Sequence, residues 1–431
     1  MKRIQGTYLL LLSRLYELVM IVFFISVIFS FRFFASISLI VMAAFALLHY
    51  RLSEGGWWNR KFVNFFNAGC FLYFIVQGLA LLYTHNTKQG IFIEQVNLGL
   101  IAIPIAVFYS QLVRGKNYGM LMKWYILILF TASVIALGHA WQLYVHTGNT
   151  SYFFYHPLVY IYSGHAIQYS ILVFIGILFL IEENVRHDNI KNRKWVLFLL
   201  VYFSVFLFLL TSKMVIAVFL IYIIYLIICT NEFFRKRSYQ IGALAAILVA
   251  LIIIFTTNSP LRKRISEEMQ SNISFIEQNE FSPADYFNGI EFRLISWRFA
   301  YEILNENHAW LFGVSPGDAQ DMLNKKYRKL NMFTGGLPDN LKGYLDYHTH
   351  NQFLQALLET GIPGLAAFIL ICAGMIQLAK KSGNRSMIVL TILLLCYCFA
   401  DAVLRTQYGI ILFIFFPLFI VKGGESGKTV S

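Results

Sequence analysis

Apolar runs about as long as a bilayer is thick recur through almost the whole sequence. A bilayer core takes roughly 20 apolar residues per helix. The chain has 431 residues, of which 58% are hydrophobic and only 13% charged, and its mean hydropathy of +0.62 excludes a soluble globular protein of this size. The pattern predicts an all-α polytopic membrane protein with about twelve transmembrane helices, at residues 9–30, 31–49, 61–84, 91–111, 120–145, 165–183, 194–210, 213–229, 238–256, 352–379, 386–402 and 406–421.

One connection between these predicted helices is much longer than the others. It is a polar region of 93 residues, 257–349, between helices 9 and 10, and its own apolar periodicity predicts that it is partly helical. We therefore divide the chain into helices 1–9 (residues 1–256), a large loop (257–349) and helices 10–12 (350–431).

The placement of basic residues predicts the orientation of the chain. The 35 Lys and Arg outnumber the 22 Asp and Glu, which gives a net charge of +13. With the N-terminus inside, the short inside segments hold twenty basic residues and the short outside segments hold four, Arg32, Lys88, Lys213 and Arg405. Both termini are expected inside and the long loop outside. Because the positive charge is scattered over separate segments, we expect no nucleic-acid partner.

Two histidines precede the tenth predicted helix, in the stretch DYHTHNQFLQALLETGIPG at residues 346–364. Imidazole has the unperturbed pKa nearest neutrality, so His350 is a candidate base that takes a proton from a hydroxyl. The alternative is that His350 only caps the helix and that the glycines only allow close helix packing. The spacing alone leaves both interpretations open.

Two cationic side chains are predicted on the same side as His350. Apolar residues at helical spacing in 289–304 predict an amphipathic helix on the outer membrane surface, with Arg293 near its start. Lys213 lies at the outer end of a helix, against the inside bias of basic residues. It either faces an anionic group or snorkels to the interface.

Two more outer segments have distinctive composition. Residues 146–165 have no Lys or Arg but four tyrosines and two phenylalanines, which predicts an interfacial aromatic belt or a re-entrant flap. The alternative is a saccharide-binding lip, for which His165 and the nearby Tyr169 are candidate contacts. A helix predicted from Ala319 to about Leu330 is expected to turn its basic residues, Lys325, Lys326, Arg328 and Lys329, toward solvent or lipid headgroups.

Lys213, Arg293 and His350 suit one reaction if they converge. Two cations would hold a departing diphosphate, and the histidine would deprotonate an attacking hydroxyl. We expect no metal, because His348 and His350 alone are a weak ligand pair, with Asp346 and Glu359 the nearest acids. The five cysteines, Cys70, Cys229, Cys372, Cys396 and Cys398, lie in predicted helices and indicate neither disulfides nor a metal site.

The chain resembles the O-antigen ligase family, which includes O-antigen polymerases and protein oligosaccharyltransferases. The family signature is His followed by Asn, Ser or Gln, then nine residues, Gly, two residues and Gly. It reads here as His350-Asn351, residues 352–360, Gly361-Ile362-Pro363-Gly364. The loop segment FRLISWRFAYEIL at 292–304 and twelve predicted helices around a large outer loop also fit the family.

The resemblance implies roles for individual residues. His350 would be the base for the acceptor hydroxyl and Arg293 a ligand of the donor diphosphate. The family usually has arginine after the serine where this chain has Ser212-Lys213. Lys keeps the charge but lacks a bidentate fork, so Arg298 or Arg405 is a candidate to supply the missing contact. His348 and Asn351 complete the candidate substrate-binding set with His165 and Tyr169.

The resemblance also implies the substrates and the location. The donor would be a glycan on undecaprenyl diphosphate, transferred with inversion and without a cofactor to a lipid A-core sugar or another glycan acceptor, at the periplasmic face of a bacterial inner membrane. A repeat-unit polymerase and a protein oligosaccharyltransferase are the alternatives with the same chemistry. A polysaccharide transporter is the alternative of a different class, although a loop of this length exceeds what transport needs.

Overall fold

Helices make up the regular secondary structure in the part of the chain that this computed structural model describes, residues 2–54, 56–57, 62–110, 115–162, 164–186, 193–229, 260–336 and 342–424. Before the long loop these helices are α1 Lys2–Ile28, α2 Arg32–Glu54, α3 Phe65–Ala80, α4 Thr87–Asn97, α5 Gly99–Phe108, α6 Gly115–Thr147, α7 Tyr155–Leu158, α8 Ala166–Arg186, α9 Arg193–Leu209 and α10 Lys213–Cys229. The loop holds α11 Pro260–Met269, α12 Gly289–Glu306 and α13 Ala319–Lys329. After it come α14 Gln352–Ser382, α15 Arg385–Ala400, α16 Gln407–Ile410 and α17 Phe416–Gly424, with a π-helical turn, Ile411–Phe415, between the last two.

Seven helical segments among the described residues are long and apolar enough to cross a membrane, which confirms an all-helical polytopic architecture. They are Tyr8–Ile28, Arg32–Glu54, Phe65–Tyr83, Thr87–Phe108, Asn117–Thr147, Gln352–Ser382 and Gln407–Gly424. Four further predicted segments coincide with shorter apolar helices, Ala166–Glu182, Lys194–Leu209, Lys213–Cys229 and Arg385–Ala400. The predicted ninth helix, 238–256, lies outside the described residues, so the count of twelve and the side on which the loop lies stay predictions.

Asparagine side chains cap several of the helices. An Asn carboxamide oxygen accepts backbone N–H groups that have no partner within the first turn, and this stabilises the start of a helix by about 1 kcal/mol. The capping residues are Asn64, Asn86, Asn288, Asn351 and Asn384. At Asn288 the cap is reciprocal, because the Glu291 side chain accepts the Asn288 N–H in return.

The loop helices have an apolar core of their own. The amphipathic helix predicted at 289–304 is confirmed as α12, and its apolar stripe packs on protein, while its place on the outer membrane surface stays a prediction. Phe292, Ile295, Phe299 and Ile303 are buried in a cluster with residues of α13 and of the first turns of α14. The apolar stripe of α12 therefore fixes the loop to the protein.

The charged face of α13 also differs from the prediction at one residue. Lys325, Arg328 and Lys329 are exposed, but Lys326 is 7% exposed. The Lys326 ammonium lies 2.7 Å from carboxylate oxygens of both Glu302 and Glu306 on α12. Two acidic partners compensate the cost of burying this charge, and they join α12 to α13.

Helix α14 is interrupted at Gly361, where the backbone has φ 65° and ψ −154°. The Ile362 N–H donates to the Trp310 carbonyl, while Val314 and Ser315 N–H groups donate to the Leu358 and Glu359 carbonyls. A Cβ on Gly361 would lie 2.3 Å from the Leu311 carbonyl oxygen. The interpretation that this glycine serves only helix packing is therefore wrong, because it allows the loop segment 310–315 to dock against the broken helix.

Three Gly→Ala variants separate the effect of the positive φ at Gly361 from the effect of the backbone clash that a Cβ would make there. G361A combines a left-handed φ with a backbone clash, and we expect it to lower the free energy of unfolding by several kcal/mol or to prevent accumulation in the membrane. G383A has φ 62° but open space, so it should cost only about 1–2 kcal/mol. G138A is in a helix with open space and should be neutral or stabilising. Thermal unfolding in detergent checks this order, and equal effects at 361 and 383 would contradict it.

Candidate functional site

The histidine segment lies between the loop and α14, and it is held by the start of that helix. The Asn351 side chain accepts the N–H groups of Phe353 and Leu354, so Asn351 is the cap, and the interpretation of His350 as the cap is wrong. His350 itself has φ 48°, an uncommon conformation for a residue with a side chain. Such strain persists where the surrounding contacts determine the geometry.

Asp401 is the carboxylate on which the histidines converge. It follows the last residue of α15 and is 7% exposed. One oxygen, Oδ1, lies 3.3 Å from His348 Nε2 and 3.6 Å from His350 Nδ1, and it accepts the Ala402 N–H at 2.9 Å. The other, Oδ2, accepts the Tyr397 hydroxyl at 2.8 Å and lies 3.9 Å from His165 Nε2.

The surroundings of Asp401 favour its charged form. Burial opposes ionisation, but the interaction with His350 and with the protonated forms of His348 and His165 outweighs it and holds the pKa of Asp401 well below its usual value. The site therefore contains a fixed negative charge directly beside three imidazole rings.

His348 is held in one tautomer. Its Nδ1 accepts the backbone N–H of His350 at 3.1 Å, so the ring proton is on Nε2, which points at Asp401. Burial lowers the pKa of His348 to about 3, and a charge on His350 acts in the same direction. Both nitrogens are engaged and the ring is neutral near pH 7, so His348 is a positioning residue for its neighbour.

His350 has the arrangement that a base needs. Its Nδ1 faces Asp401, and within the described part of the chain its Nε2 has no hydrogen-bond partner. His350 lines a cavity of about 660 Å³ together with Asp401, His165 and Arg293. The aromatic rings of Phe292 and Tyr347 lie 5.8 Å from its imidazole and restrict its orientation. A carboxylate on one ring nitrogen and open space at the other is the pattern of a general base.

The predicted cations lie in an adjoining cavity of about 650 Å³. It is lined by Lys213, Arg264, Arg293 and the acids Glu267 and Glu268, and it shares Arg293 with the His350 cavity. Arg293 donates from Nε to the Ala400 carbonyl at 3.2 Å, one residue before Asp401. The structure therefore brings together Lys213, Arg293 and His350, the three residues predicted to act in catalysis.

A buried polar chain lies beneath the histidines. Arg405 Nη1 and Gln355 Nε2 each lie 2.7 Å from Glu359 Oε1. Gln355 Oε1 in turn accepts the hydroxyl and the N–H of Thr349, the residue between the two histidines. The Trp297 indole N–H donates to the Thr349 carbonyl at 2.9 Å. Glu359, Gln355 and Thr349 are each at most 1% exposed, so this chain rigidly holds the backbone of the histidine segment.

Three of the other predicted substrate contacts lie outside the two cavities. Arg405 is engaged with Glu359, and Arg298 donates to the carbonyls of Ile276 and Gln278 and pairs with Glu302, so neither lines the two cavities. Tyr169 is 3% exposed and stacks on Tyr162, with ring centroids 5.7 Å apart. Of the aromatic segment, Tyr155, His156 and His165 do line the His350 cavity.

The expectation that Asp346 and Glu359 are the acids nearest the histidine pair is wrong, because Asp401 faces both rings. One ligand atom each from His348, His350 and Asp401 lies within 4.8 Å of the others, a spacing that could hold a metal ion. The His350 N–H already donates to His348 Nδ1, and the facing nitrogens of both rings lie at ion-pair distance from Asp401, which describes a charge-linked histidine pair without a metal. The absence of a metal requirement stays a prediction.

Sequence reasoning missed Asp401 and Arg264. Asp401 is the single carboxylate in residues 386–421, at the end of an apolar helix, and an isolated acid in such a setting is a signal for function. Arg264 looked like one of three consecutive basic residues at the start of the loop, and nothing in its spacing distinguishes it from Arg262 and Lys263.

Helices long and apolar enough to span a membrane, a loop core docked on them, and a cationic cavity next to a buried histidine–carboxylate pair describe a polytopic membrane protein with a candidate acid–base site. A family model described as O-antigen ligase matches residues 198–369 and confirms the predicted resemblance to the O-antigen ligase family. The matched region includes Lys213, Arg293 and His350 but ends before Asp401. No curated protein matches the chain. The match supports an O-antigen ligase or polymerase-like activity, that of a membrane glycosyltransferase.

The low pKa of His348 predicts how acid affects stability. The folded pKa is about 3 and the unfolded value roughly 6.5, so on going from pH 7 to pH 5 the unfolded chain gains a proton here and the folded chain does not. This residue should therefore lower stability by up to about 2 kcal/mol over that interval. H348Q should lose less stability than the wild type, measured by thermal unfolding in detergent. H146Q, at an exposed histidine, is the control, and an unchanged pH dependence in H348Q would contradict the prediction.

Proposed function

We propose that the protein transfers a glycan en bloc from undecaprenyl diphosphate to a lipid A-core sugar at the periplasmic face of a bacterial inner membrane, with both termini in the cytoplasm. The observation that carries the proposal is the placement of His350, supported by Asp401, in a cavity that adjoins the cations Arg293 and Lys213. Donor, acceptor and mechanism are proposed together, because each part of the site suits one of them.

The proposed reaction is a displacement at the anomeric carbon. The acceptor hydroxyl oxygen attacks that carbon while its proton moves to His350 Nε2, and the bond from the carbon to the diphosphate oxygen breaks. The imidazolium that forms lies beside Asp401, which stabilises its charge. Attack opposite the leaving group inverts the anomeric configuration.

The cations act on the leaving group. Negative charge develops on the diphosphate as the bond breaks, and Arg293 and Lys213 compensate it. The protein's own residues account for proton removal and for leaving-group stabilisation, so this mechanism requires no metal or cofactor.

Substitution of His350 tests the mechanism. H350A should lower kcat at least about 100-fold in a reconstituted assay with lipid-linked donor and acceptor, because general base catalysis contributes roughly 10²–10⁴. D401N should lower kcat by at least about tenfold, since the imidazolium loses its counter-charge. H146A should behave as the wild type, and an excess of chelator should leave all rates unchanged. Full turnover in H350A would exclude His350 as the base.

The glycolipids of a deletion strain distinguish the acceptors. Loss of all long-chain glycan from the lipid A core, with accumulation of the lipid-linked donor, is expected for a ligase. A core that carries one repeat unit would indicate a polymerase instead, and unmodified glycolipids with unglycosylated proteins would indicate a protein acceptor. Donor trapped on the cytoplasmic side would favour a transporter.

A further inference from the structure

Helix α11 brings one cation and one anion into the Lys213 cavity. Arg264 and Glu268 are four residues apart and so lie on the same face of this helix. Both line the cavity with Lys213 and Arg293, and no residue of α11 was part of the predicted site.

Arg264 is held in place by contacts that leave part of its guanidinium open. Its Nη1 donates to the Thr211 carbonyl at 2.8 Å and to the Thr211 hydroxyl at 3.2 Å, and the guanidinium carbon lies 3.5 Å from the centre of the Tyr155 ring. In the described part of the chain its other nitrogens make no hydrogen bond. The Lys213 ammonium donates to the Arg264 carbonyl at 3.1 Å, so the two cationic residues are joined.

Glu268 occupies the position that an anionic ligand would take. Its Oε1 lies 2.5 Å from Lys213 Nζ, and the two side chains are 26% and 24% exposed. The same oxygen lies 3.3 Å from where a Cβ on Gly289 would be, and Arg293 Nη1 lies 3.2 Å from that point. The carboxylate is therefore close to both predicted diphosphate ligands.

The charges of the cavity match those of a diphosphate once Glu268 is displaced. Three cations, Lys213, Arg264 and Arg293, then line the cavity with one acid, Glu267, and this net charge of about +2 matches the two negative charges of a diphosphate diester. A guanidinium offers paired N–H donors to phosphate oxygens, whereas the ammonium of Lys213 acts as a point charge. Arg264 thus supplies a planar donor immediately beside the position where the family resemblance led us to expect an arginine.

We propose that Arg264 is a third ligand of the donor diphosphate and that Glu268 neutralises Lys213 until the diphosphate displaces it. This inference rests on the proposed function and names two residues that the function does not require. It predicts opposite signs for substitutions on the same face of one helix. Loss of Arg264 weakens diphosphate binding, and loss of the Glu268 charge strengthens it.

Equilibrium binding of farnesyl diphosphate and farnesyl monophosphate to the full chain in detergent tests the proposal. R264A should weaken diphosphate binding roughly tenfold or more, R264K should recover part of the loss, and the monophosphate should be affected less. E268Q should tighten diphosphate binding severalfold, and this gain should vanish in the K213A background. K263A, at an exposed residue of α11 outside the cavity, is the matched control.

Each contrary result has a distinct meaning. Wild-type affinity in R264A removes Arg264 from the diphosphate site, and if R264A unfolds, R264Q decides the question in the same way because it removes the charge but keeps a polar side chain. Weaker binding in E268Q would overturn the displacement by showing that Glu268 holds Lys213 in place. If the wild type binds neither ligand but transfers glycan from its natural donor, the Arg264 proposal fails alone. If it neither binds nor transfers, the proposed function fails.

Discussion

The arrangement at the cavity depends on the buried carboxylate of Asp401. It accepts hydrogen bonds from the Tyr397 hydroxyl and the Ala402 N–H, and these fix its two oxygens independently of the histidines. His348 and His350 then approach Oδ1, and His165 approaches Oδ2. One negative charge compensates one proton well and further protons poorly, because imidazolium rings only a few ångströms apart repel one another. The cluster therefore disfavours a second protonated imidazole.

A second buried acid, Glu359, links the loop to the membrane helices in a similar way. The Glu359 carboxylate accepts hydrogen bonds from Arg405 and Gln355 in the C-terminal helical region and from Gln77 in α3. Its backbone carbonyl accepts the Ser315 N–H of the loop. Breaking one partner of such a pair leaves a buried charge without compensation. The break at Gly361 makes this possible, since an uninterrupted helix would keep its carbonyls for itself. Rigidity around the histidines thus comes from polar contacts as much as from apolar packing.

Local pattern was sufficient to predict most of the helices and the central member of the site. Apolar runs of bilayer length, the 3.6-residue periodicity of α12 and the spacing after His350 are all readable within a few dozen residues. The surface that the apolar stripe of α12 faces could not be predicted in this way, because an apolar stripe covered by protein and one lying on lipid look the same in a sequence. The prediction that Lys326 faces solvent or headgroups was wrong for a related reason. Its acidic partners are on another helix, twenty and twenty-four residues upstream.

Asp401 and Arg264 show where local pattern stops being informative. Asp401 lies 51 residues after His350, in a segment whose composition predicts only a helix. Arg264 is one of three adjacent basic residues, and what separates it from the others is its approach to Thr211 and Tyr155, which belong to distant segments. Each residue acquires its place from tertiary contacts, so only a three-dimensional arrangement could identify it.

The docking of the loop on α14 also sets an order for biogenesis. Ribosomes deliver the chain from the N-terminus, so the segment from Trp310 to Ser315 is made about fifty residues before the α14 carbonyls and amide that pair with it. The apolar cluster of the loop includes Leu358 of α14, and Asp401, the acid beside His350, is made later still. The apolar surface of a newly made loop therefore stays uncovered until α14 has been inserted. A truncated chain that ends before α14 would leave that surface open to chaperones and proteases.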